Sequence, residues 1–156
     1  MYVQVTDRDQ WNDTLVTLPN AHVLQSWEWG EFKSRWGWAV DRLLWRSHGN
    51  VVGAAQVLTR PAPHTPWQFM YLTKGPVLDY SDSSLTEMIL TDLERLGEQR
   101  RSLFIKIDPD VVRQYGEPGE ESPDPVGTAF LALLERRGWR YSPEQIQFQN
   151  TVLIEL

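Results

Sequence analysis

The sequence has 156 residues, of which 41% are apolar, and this length and composition are typical of one folded domain and not of a disordered chain. Its formal net charge of −6 argues against DNA binding, because gripping a nucleic-acid backbone requires a basic surface. Since the sequence has no cysteine, no signal-peptide pattern and no apolar run long enough to cross a bilayer, it excludes disulfides, thiolate chemistry and a transmembrane segment, and we expect a cytoplasmic domain.

The first half of the sequence predicts a strand, two helices and then three strands. Pro19 ends the first helix, Ser26 is the predicted N-cap of the second, and Gly37 ends that second helix. Gly49 suits a tight hairpin between two strands, and Gly53 inside the later strand predicts a bulge or a close backbone approach. The predicted strands cover residues 2–5, 39–47, 51–60 and 67–73, and the first helix covers residues 7–18.

The second half of the sequence predicts two longer helices separated by a strand and a loop. Ser84 and Glu87 have the spacing of a capping box, which opens a helix to about Arg100. Pro125 begins the last helix and Gly138 ends it. The acidic segment 110–124, rich in Pro and Gly, predicts a mobile loop, and the strands cover residues 103–108, 139–142 and 147–156. The predicted core positions of the two helices are Leu85, Ile89, Leu93, Leu96, Phe130, Leu133 and Leu134.

The order of the predicted elements, βααβββαβαββ, is similar to that of GNAT-type acyl-CoA N-acyltransferases. That resemblance implies a single α+β domain over residues 1–156, with a mixed, mostly antiparallel sheet flanked by helices. In family members that use acetyl-CoA, the turn after the fourth strand is rich in glycine and its amides bind the pyrophosphate. Here Gly75 is followed by Pro76, which has no amide to donate, and Asp79 and Asp82 add negative charge. We therefore expect no coenzyme A cofactor.

An aromatic segment at residues 24–38, LQSWEWGEFKSRWGW, holds four of the eight tryptophans. At helical spacing, Trp29, Phe32 and Trp36 fall on one stripe, and Lys33 lies at its rim. One interpretation is that the helix docks onto the core by this aromatic stripe. The other is that Lys33 is a cation held among rings for an anionic ligand. The local pattern leaves both open.

Four motifs in the same order resemble the Fem family of peptidoglycan-bridge aminoacyltransferases. They are QSWEWG at 25–30 with Lys33 and Gly37-Trp38, YLTKGP at 71–76, IKIDP at 105–109, and QIQ at 145–147 through Thr151. Within them, Lys74 replaces the arginine that is common before Gly-Pro, and Gln149-Asn150 is less basic than the family pattern. The resemblance covers the whole chain but only the first, N-terminal half of the family's two GNAT-like domains.

The resemblance implies transfer of an amino acid from aminoacyl-tRNA to an amine of a muropeptide precursor, with this half mainly binding the precursor. The tRNA would be bound through the second half, which these residues do not include, and no cofactor is expected beyond this donor substrate. The protein would act in the cytoplasm or at the inner face of the membrane. Two alternatives remain open: an acetyl-CoA-dependent GNAT N-acetyltransferase, and a non-catalytic module that binds a cell-wall precursor or a protein.

The resemblance also places the candidate site residues. Lys33 matches the lysine that contacts the diphosphate of a UDP-linked or lipid-linked precursor, as a point charge suits a diphosphate. Asp108 is the candidate catalytic residue, which could orient the acceptor ammonium or accept its proton; the alternative is that it simply ends its strand. We expect no metal site, because the three histidines lack metal-ligand spacing. An exposed edge at residues 147–156 could pair with a second copy of the chain. Further substrate-binding candidates are Trp36, Trp38, Tyr71, Lys74 and Lys106.

Overall fold

The protein folds around one mixed sheet with helices on both of its faces. A computed structural model describes residues 1–116 and 120–144. The helices are α1 (Arg8–Leu15), α2 (Trp27–Ser34), α3 (Ser83–Gln99) and α4 (Pro125–Arg136), with a 3-10 turn at Val23–Gln25 before α2. The strands are β1 (Tyr2–Gln4), β2 (Ala39–Ser47), β3 (Asn50–Pro61), β4 (Gln68–Leu72), β5 (Val77–Leu78), β6 (Ser102–Ile107), β7 (Gln114–Tyr115) and β8 (Ser122–Pro123).

The order of strands in the main sheet is β1-β2-β3-β4-β6. The short β5 pairs with the first half of β3, at Gly53 and Ala54. All described pairs in this sheet are antiparallel except β4 and β6, which run parallel and are connected through α3. A parallel pair requires such a crossover, and it brings the carboxyl ends of two strands to the same edge. The predicted α+β, mostly antiparallel architecture is confirmed.

Two apolar clusters hold the helices onto the opposite faces of the sheet. The larger cluster joins the sheet to α3 and α4 and includes Trp45, Met70, Leu93 and Phe130. The smaller cluster lies on the other face, where Trp11 and residues of β2, β3 and β5 are buried together. Each fully buried side chain of this size contributes about 1.5–3 kcal/mol. The sheet is therefore anchored on both faces. No helix in the described parts of the chain is long and apolar enough to span a bilayer.

The β2–β3 hairpin has the tight turn and the irregularity that its glycines predict. His48 and Gly49 have φ values of 49° and 85°, as a two-residue turn of the mirror-image type requires. The register shifts between Trp45 and Arg46, directly opposite Gly53. A Cβ atom at Gly53 would lie 2.6 Å from Ile89 Cδ1, so α3 approaches β3 closely there. Both predictions for Gly53, the bulge and the close approach, are confirmed.

The helix boundaries require two corrections. The first helix begins after its N-cap Asp7 as predicted but ends at Leu15, three residues early, because Pro19 disfavours helical backbone before it and the chain leaves through turns. The predicted capping box at Ser84 is wrong. The N-cap of α3 is Asp82, whose carboxylate accepts from the Leu85 amide at 2.9 Å. A carboxylate at a helix N-terminus is also stabilised by the helix dipole.

Two predictions for the last third of the chain are also corrected. The segment 110–124 is not irregular throughout, because β7 and β8 pair within it as a small two-stranded sheet. Residues 139–142 do not form a strand, since the Trp139 indole turns toward α3, where it donates to Glu94 at 2.7 Å, and Pro143 lacks an amide for a ladder. The strand predicted at residues 147–156, with its edge for self-association, lies outside the described residues.

Candidate functional site

The aromatic stripe on α2 faces solvent and not the core. Trp29 stacks on Phe32 with ring centroids 5.4 Å apart, and Phe32 contacts Trp36 at 6.3 Å, so the three rings share one face as the spacing predicts. However, 46% of Phe32 and 65% of Trp36 is exposed. Docking of α2 by this stripe is therefore wrong. The face that docks carries Gly30, which is buried against the sheet.

Gly30 allows the close approach of α2 to β2 and β3. A Cβ atom at position 30 would lie 2.3 Å from Gln56 Oε1 and 2.5 Å from Arg42 Nη2, so any larger residue would collide with buried polar groups. The helix is capped by Ser26, whose hydroxyl accepts from the Trp29 amide at 3.3 Å, and Gly37 ends its last turn with φ of 82°. The two capping predictions are confirmed, and the packing role of Gly30 is a feature that sequence reasoning missed.

Arg42 is a buried cation beneath α2 that the sequence did not reveal. Its guanidinium stacks on the Trp27 ring at 3.4 Å and donates to Gln56 Oε1, to the Trp27 carbonyl and to Glu31 Oε1. Burial lowers the pKa of Arg42 from its ordinary value, against the opposing effect of Glu31. Only its place in the alternating pattern of β2 could have marked it as inward-facing. This network fixes the orientation of α2 on the sheet.

Gln25 is a second buried polar residue that the sequence reasoning did not single out. Its side chain is fully buried, donates to the Thr73 carbonyl at 2.5 Å and accepts from the Gln56 amide at 2.7 Å. Its own carbonyl accepts from the Trp11 indole at 2.8 Å. Gln25 therefore connects α1, the start of α2, β3 and the turn after β4. Its position within the QSWEWG motif was the one available indication.

Lys33 lies over two indole rings. Its Nζ atom is 5.1 Å from the centroid of Trp29 and 5.8 Å from that of Trp38, distances at which a cation is attracted by the ring face. Within the described residues its ammonium has no carboxylate partner and no hydrogen bond. The structure thus brings the predicted residues Lys33 and Trp38 together. Trp36 lies farther out and does not contact the ammonium.

Arg60 approaches the same Trp38 ring from β3. Its Cζ atom is 5.8 Å from the ring centroid. The contact follows from strand register, because Ala39 pairs with Thr59 and the next residues outward are Trp38 and Arg60. Arg60 is exposed and has no ion pair or hydrogen bond in the described part of the chain. No local pattern distinguishes Arg60 from the other arginines.

A second cluster lies where β4 and β6 end. Asp108 accepts from the Tyr71 hydroxyl at 2.8 Å and from the Lys74 amide at 2.6 Å, so its carboxylate joins the two parallel strands. Lys74 has a φ of 49°, in the left-handed region that costs a non-glycine residue roughly 1 kcal/mol, and this bond holds it there. The Lys74 ammonium pairs with Asp110 at 2.9 Å. The structure therefore brings together the predicted Asp108, Tyr71 and Lys74.

The environment of Asp108 raises the pKa of its carboxyl. Burial raises the pKa of this carboxyl above its ordinary value, although the bonds from Lys74 and Tyr71 and the charges of Lys74 and Lys106 act in the opposite direction. A carboxylate with a raised pKa is a better proton acceptor at neutral pH than an ordinary one. Lys106, opposite Tyr71 in the register, donates to the Glu144 carbonyl at 2.9 Å.

The two cations at Trp38 and the group of side chains around Asp108 lie on the same face of the sheet, the face that α2 covers in part. Residues directly opposite in the register share a face, so Arg60 lies beside Phe69, and Phe69 beside Phe104, in one row across β3, β4 and β6. Tyr71 and Lys106 occupy the next row. The two phenylalanine rings stack at 5.0 Å, and 53% of Phe104 is exposed. The result is an open aromatic floor with two cations at one end and the Asp108 cluster at the other.

No group of side chains in residues 1–116 and 120–144 has the composition of a metal site. The three histidines lie apart, and His22 accepts from the Leu24 amide through its ring nitrogen. The chemistry that this face offers is therefore cationic, aromatic and carboxylic. It suits an anionic ligand with a neighbouring amine.

The sequence and the fold both have recognisable relatives. The model of the FemAB family matches residues 7–156. The lipid II:glycine glycyltransferases of Staphylococcus haemolyticus and Staphylococcus aureus are 34% identical to this chain over 93 residues, which is 60% of this chain. The matched segment spans 22% of the length of these relatives.

Solved structures also resemble this chain. A crystal structure of FemX superposes with a TM-score of 0.71 and 28% identity, covering 88% of this chain and 31% of FemX. An aminoglycoside acetyltransferase from an uncultured soil sample matches at a TM-score of 0.59 and 16% identity, with 98% of each chain covered. At that identity the likeness concerns the fold, which is the GNAT acetyltransferase fold predicted from the element order.

Proposed function

This chain belongs to the FemAB family, and from that premise we propose that it is the precursor-binding part of an aminoacyltransferase that builds the peptidoglycan interpeptide bridge. The acceptor substrate is a muropeptide precursor, linked through a diphosphate to uridine or to a lipid. The donor is an aminoacyl-tRNA, bound mainly through the second half of the transferase, because this chain is acidic, with a net charge of −6, and gripping a nucleic-acid backbone requires a basic surface. The reaction takes place in the cytoplasm or at the inner face of the membrane.

The observation that carries this proposal is the unneutralised Lys33 over the indoles of Trp29 and Trp38. In a chain with a net charge of −6, a half-buried ammonium that has no carboxylate partner in residues 1–116 and 120–144 is a local attraction for an anion. The rings exclude water on one side and so strengthen a charge-assisted hydrogen bond to phosphate. The diphosphate of the precursor would lie there. The sugar and peptide would then extend over the floor made by Phe69 and Phe104.

Asp108 is the residue that we propose to serve the acceptor amine. In the transfer, the ammonium first gives up one proton and the neutral amine nitrogen then attacks the ester carbonyl of the donor. As the amide bond forms, the bond to the tRNA oxygen breaks, and that oxygen takes up the second proton that the nitrogen loses. A carboxylate with a raised pKa orients the ammonium and takes its first proton. The Tyr71 and Lys74 bonds keep the carboxylate in place. Lys74 and Lys106 surround it with positive charge that favours the anionic parts of the substrate.

The turn after β4 supports a donor other than acetyl-CoA. A phosphate-binding turn needs free amides, yet the Lys74 amide is donated to Asp108 and Pro76 has none. The Gly75 backbone also lies against Gln25, with an added Cβ only 2.6 Å from its Nε2 atom. The turn is filled from within the protein. We therefore propose that no coenzyme A cofactor is used.

Calorimetric titration with a UDP-linked muropeptide precursor tests the proposal. Lys33→Gln should weaken binding about tenfold, which corresponds to about 1.4 kcal/mol, without lowering the melting temperature. Arg35→Gln is the matched control, because Arg35 is an exposed cation on the same helix turn without a ring contact among the described residues. Equal losses of affinity in the two variants would mean that binding depends on the overall charge of the protein and not on the position of Lys33. Unchanged affinity in Lys33→Gln would refute the assignment.

A further inference from the structure

We propose that Arg60 is the second cation of the diphosphate site. It acts together with Lys33, but from strand β3, whereas Lys33 lies on helix α2. The inference rests on the proposed function, since it concerns the same precursor. It adds a residue that belongs to none of the four motifs that carry the family resemblance. Its ligand chemistry is a diphosphate ester, in which the two phosphates are held by two different cations.

The geometry brings both cations to one ring. Lys33 Nζ and Arg60 Cζ each lie 5.8 Å from the centroid of Trp38, and no carboxylate pairs with either in residues 1–116 and 120–144. The acidic residues on the neighbouring elements are occupied, because Glu31 pairs with Arg42 and Asp41 with Arg100. Two like charges held at one indole repel each other. An anion that spans them removes that repulsion and contacts both.

The donors of the two cations remain available. A guanidinium attracted to a ring keeps its planar fork of N–H groups for a phosphate, and an ammonium keeps three donors. Neither side chain has a hydrogen bond within the described structure. A diphosphate offers separate oxygens to each cation, whereas a monophosphate satisfies one cation fully and the second only in part. The pair therefore favours a diphosphate over a monophosphate.

The strand register explains why Arg60 is suited to this position. Arg60 lies directly beside Phe69, and so at the edge of the aromatic floor that continues to Phe104. A diphosphate held between Lys33 and Arg60 would place the remainder of the ligand on that floor, on the path toward Tyr71 and Asp108. Since Arg60 is exposed, its replacement by a neutral residue removes charge and donors without opening the core.

The experiment titrates the 156-residue chain with inorganic pyrophosphate and, separately, with inorganic phosphate. The unsubstituted chain should prefer pyrophosphate, and Arg60→Gln should weaken pyrophosphate binding about tenfold while leaving phosphate binding within about twofold. Arg60→Lys should retain part of the preference, because charge remains but the fork is lost. The matched control is Arg46→Gln, an exposed arginine at the hairpin end of β2, opposite Val51 and so about 30 Å from Arg60 along the strands. It should change nothing.

A double variant tests whether the two cations hold one ligand. Combining Lys33→Gln with Arg60→Gln should cost less than the product of the single losses, since either change already disrupts the shared diphosphate. The melting temperatures of all variants should agree. Equal pyrophosphate affinity in Arg60→Gln and the unsubstituted chain, or strictly multiplicative losses, would overturn the inference. So would failure of the unsubstituted chain to bind pyrophosphate at millimolar concentration.

Titrations with two kinds of precursor distinguish a failure of this inference from a failure of the proposed function. UDP-linked and lipid-linked muropeptides are titrated in parallel, the second in detergent micelles, and an Arg60 effect on either identifies the source of the diphosphate. If pyrophosphate binding depends on Arg60 but neither precursor binds, the proposed function fails and the diphosphate site stands. If a precursor binds with Lys33 dependence but without Arg60 dependence, the proposed function stands and this inference fails.

Discussion

Replacing Gln25 by leucine should destabilise the protein far more than a polar-to-apolar change usually does. Leucine has nearly the same volume, so the substitution removes hydrogen bonds without leaving a large cavity. The side chain is fully buried, with Nε2 2.5 Å from the Thr73 carbonyl and Oε1 2.7 Å from the Gln56 amide. Both backbone groups would lose these partners in a region that is closed to solvent, since Gln25 is fully buried.

The magnitude follows from the cost of leaving buried backbone groups unpaired. Each unsatisfied group costs about 1–3 kcal/mol, so the loss of two bonds, offset in part by the added apolar surface, should lower the free energy of unfolding by about 2–5 kcal/mol. For a domain of this size, 1 kcal/mol shifts the melting temperature by about 2–4 °C. The expected decrease in melting temperature is therefore about 4–20 °C.

Urea unfolding followed by tryptophan fluorescence and circular dichroism measures this change. Gln99→Leu is the matched control, because Gln99 is an exposed residue in the last turn of α3 and the same chemical change should cost less than about 0.5 kcal/mol there. If Gln25→Leu and Gln99→Leu unfold at the same urea concentration as the original chain, the assigned role of Gln25 is refuted.

Three further predictions test the Asp108 cluster, the helix cap and the cofactor. Burial raises the pKa of Asp108 above 3.8, so the folded state keeps its proton to a higher pH than the unfolded chain and ionisation favours unfolding. Relative to Asp108→Asn, the original chain should therefore lose stability as pH rises from about 4 through the raised pKa, and parallel urea midpoints would contradict this. Asp82→Ala should lower the unfolding midpoint more than Ser84→Ala, because Asp82 caps α3; the reverse order would restore the capping box. Acetyl-CoA at millimolar concentration should leave the melting temperature unchanged, and a concentration-dependent increase would reopen the acetyltransferase alternative.

The fold could be predicted from the sequence because its local patterns agree with one another. Ser26, Gly37 and Pro125 mark helix ends by their own backbone chemistry, and Gly49 marks a hairpin, so none of them depends on distant residues. The capping residue of α3 was misassigned because Asp82 and Ser84 are both good caps, and only the path of the incoming chain decides between them.

The aromatic helix shows where sequence reasoning failed. Helical spacing correctly placed Trp29, Phe32 and Trp36 on one face, but hydrophobicity suggested that this face would be buried. The buried face is instead defined by Gly30, whose missing side chain makes room for Arg42. A small residue facing a buried charge gives no hydrophobic pattern, and the partner lies on another element. Long-range polar packing of this kind could not be read from local spacing.

The site was predictable only in part for the same reason. The family motifs pointed to Lys33, Tyr71, Lys74 and Asp108, and the structure places the last three in contact. Arg60 reaches the Trp38 ring through the register of two strands, a relation that no single segment of sequence contains. Gln25 likewise acts across four elements. Roles of these residues depend on tertiary neighbours, so they appear only once the sheet is assembled.

The bond between Asp108 and the Lys74 amide makes Asp108 a tethered competitor for the turn after β4. Any external anion seeking that amide must displace a carboxylate that the fold holds 2.6 Å away. A group tethered this way has an effective concentration of about a millimolar or more, so a free ligand at micromolar concentration would rarely win. An internal carboxylate thus occupies the amide of the turn after β4. A ligand that needs this amide would therefore meet an internal carboxylate as well as the packing of Gln25 against Gly75.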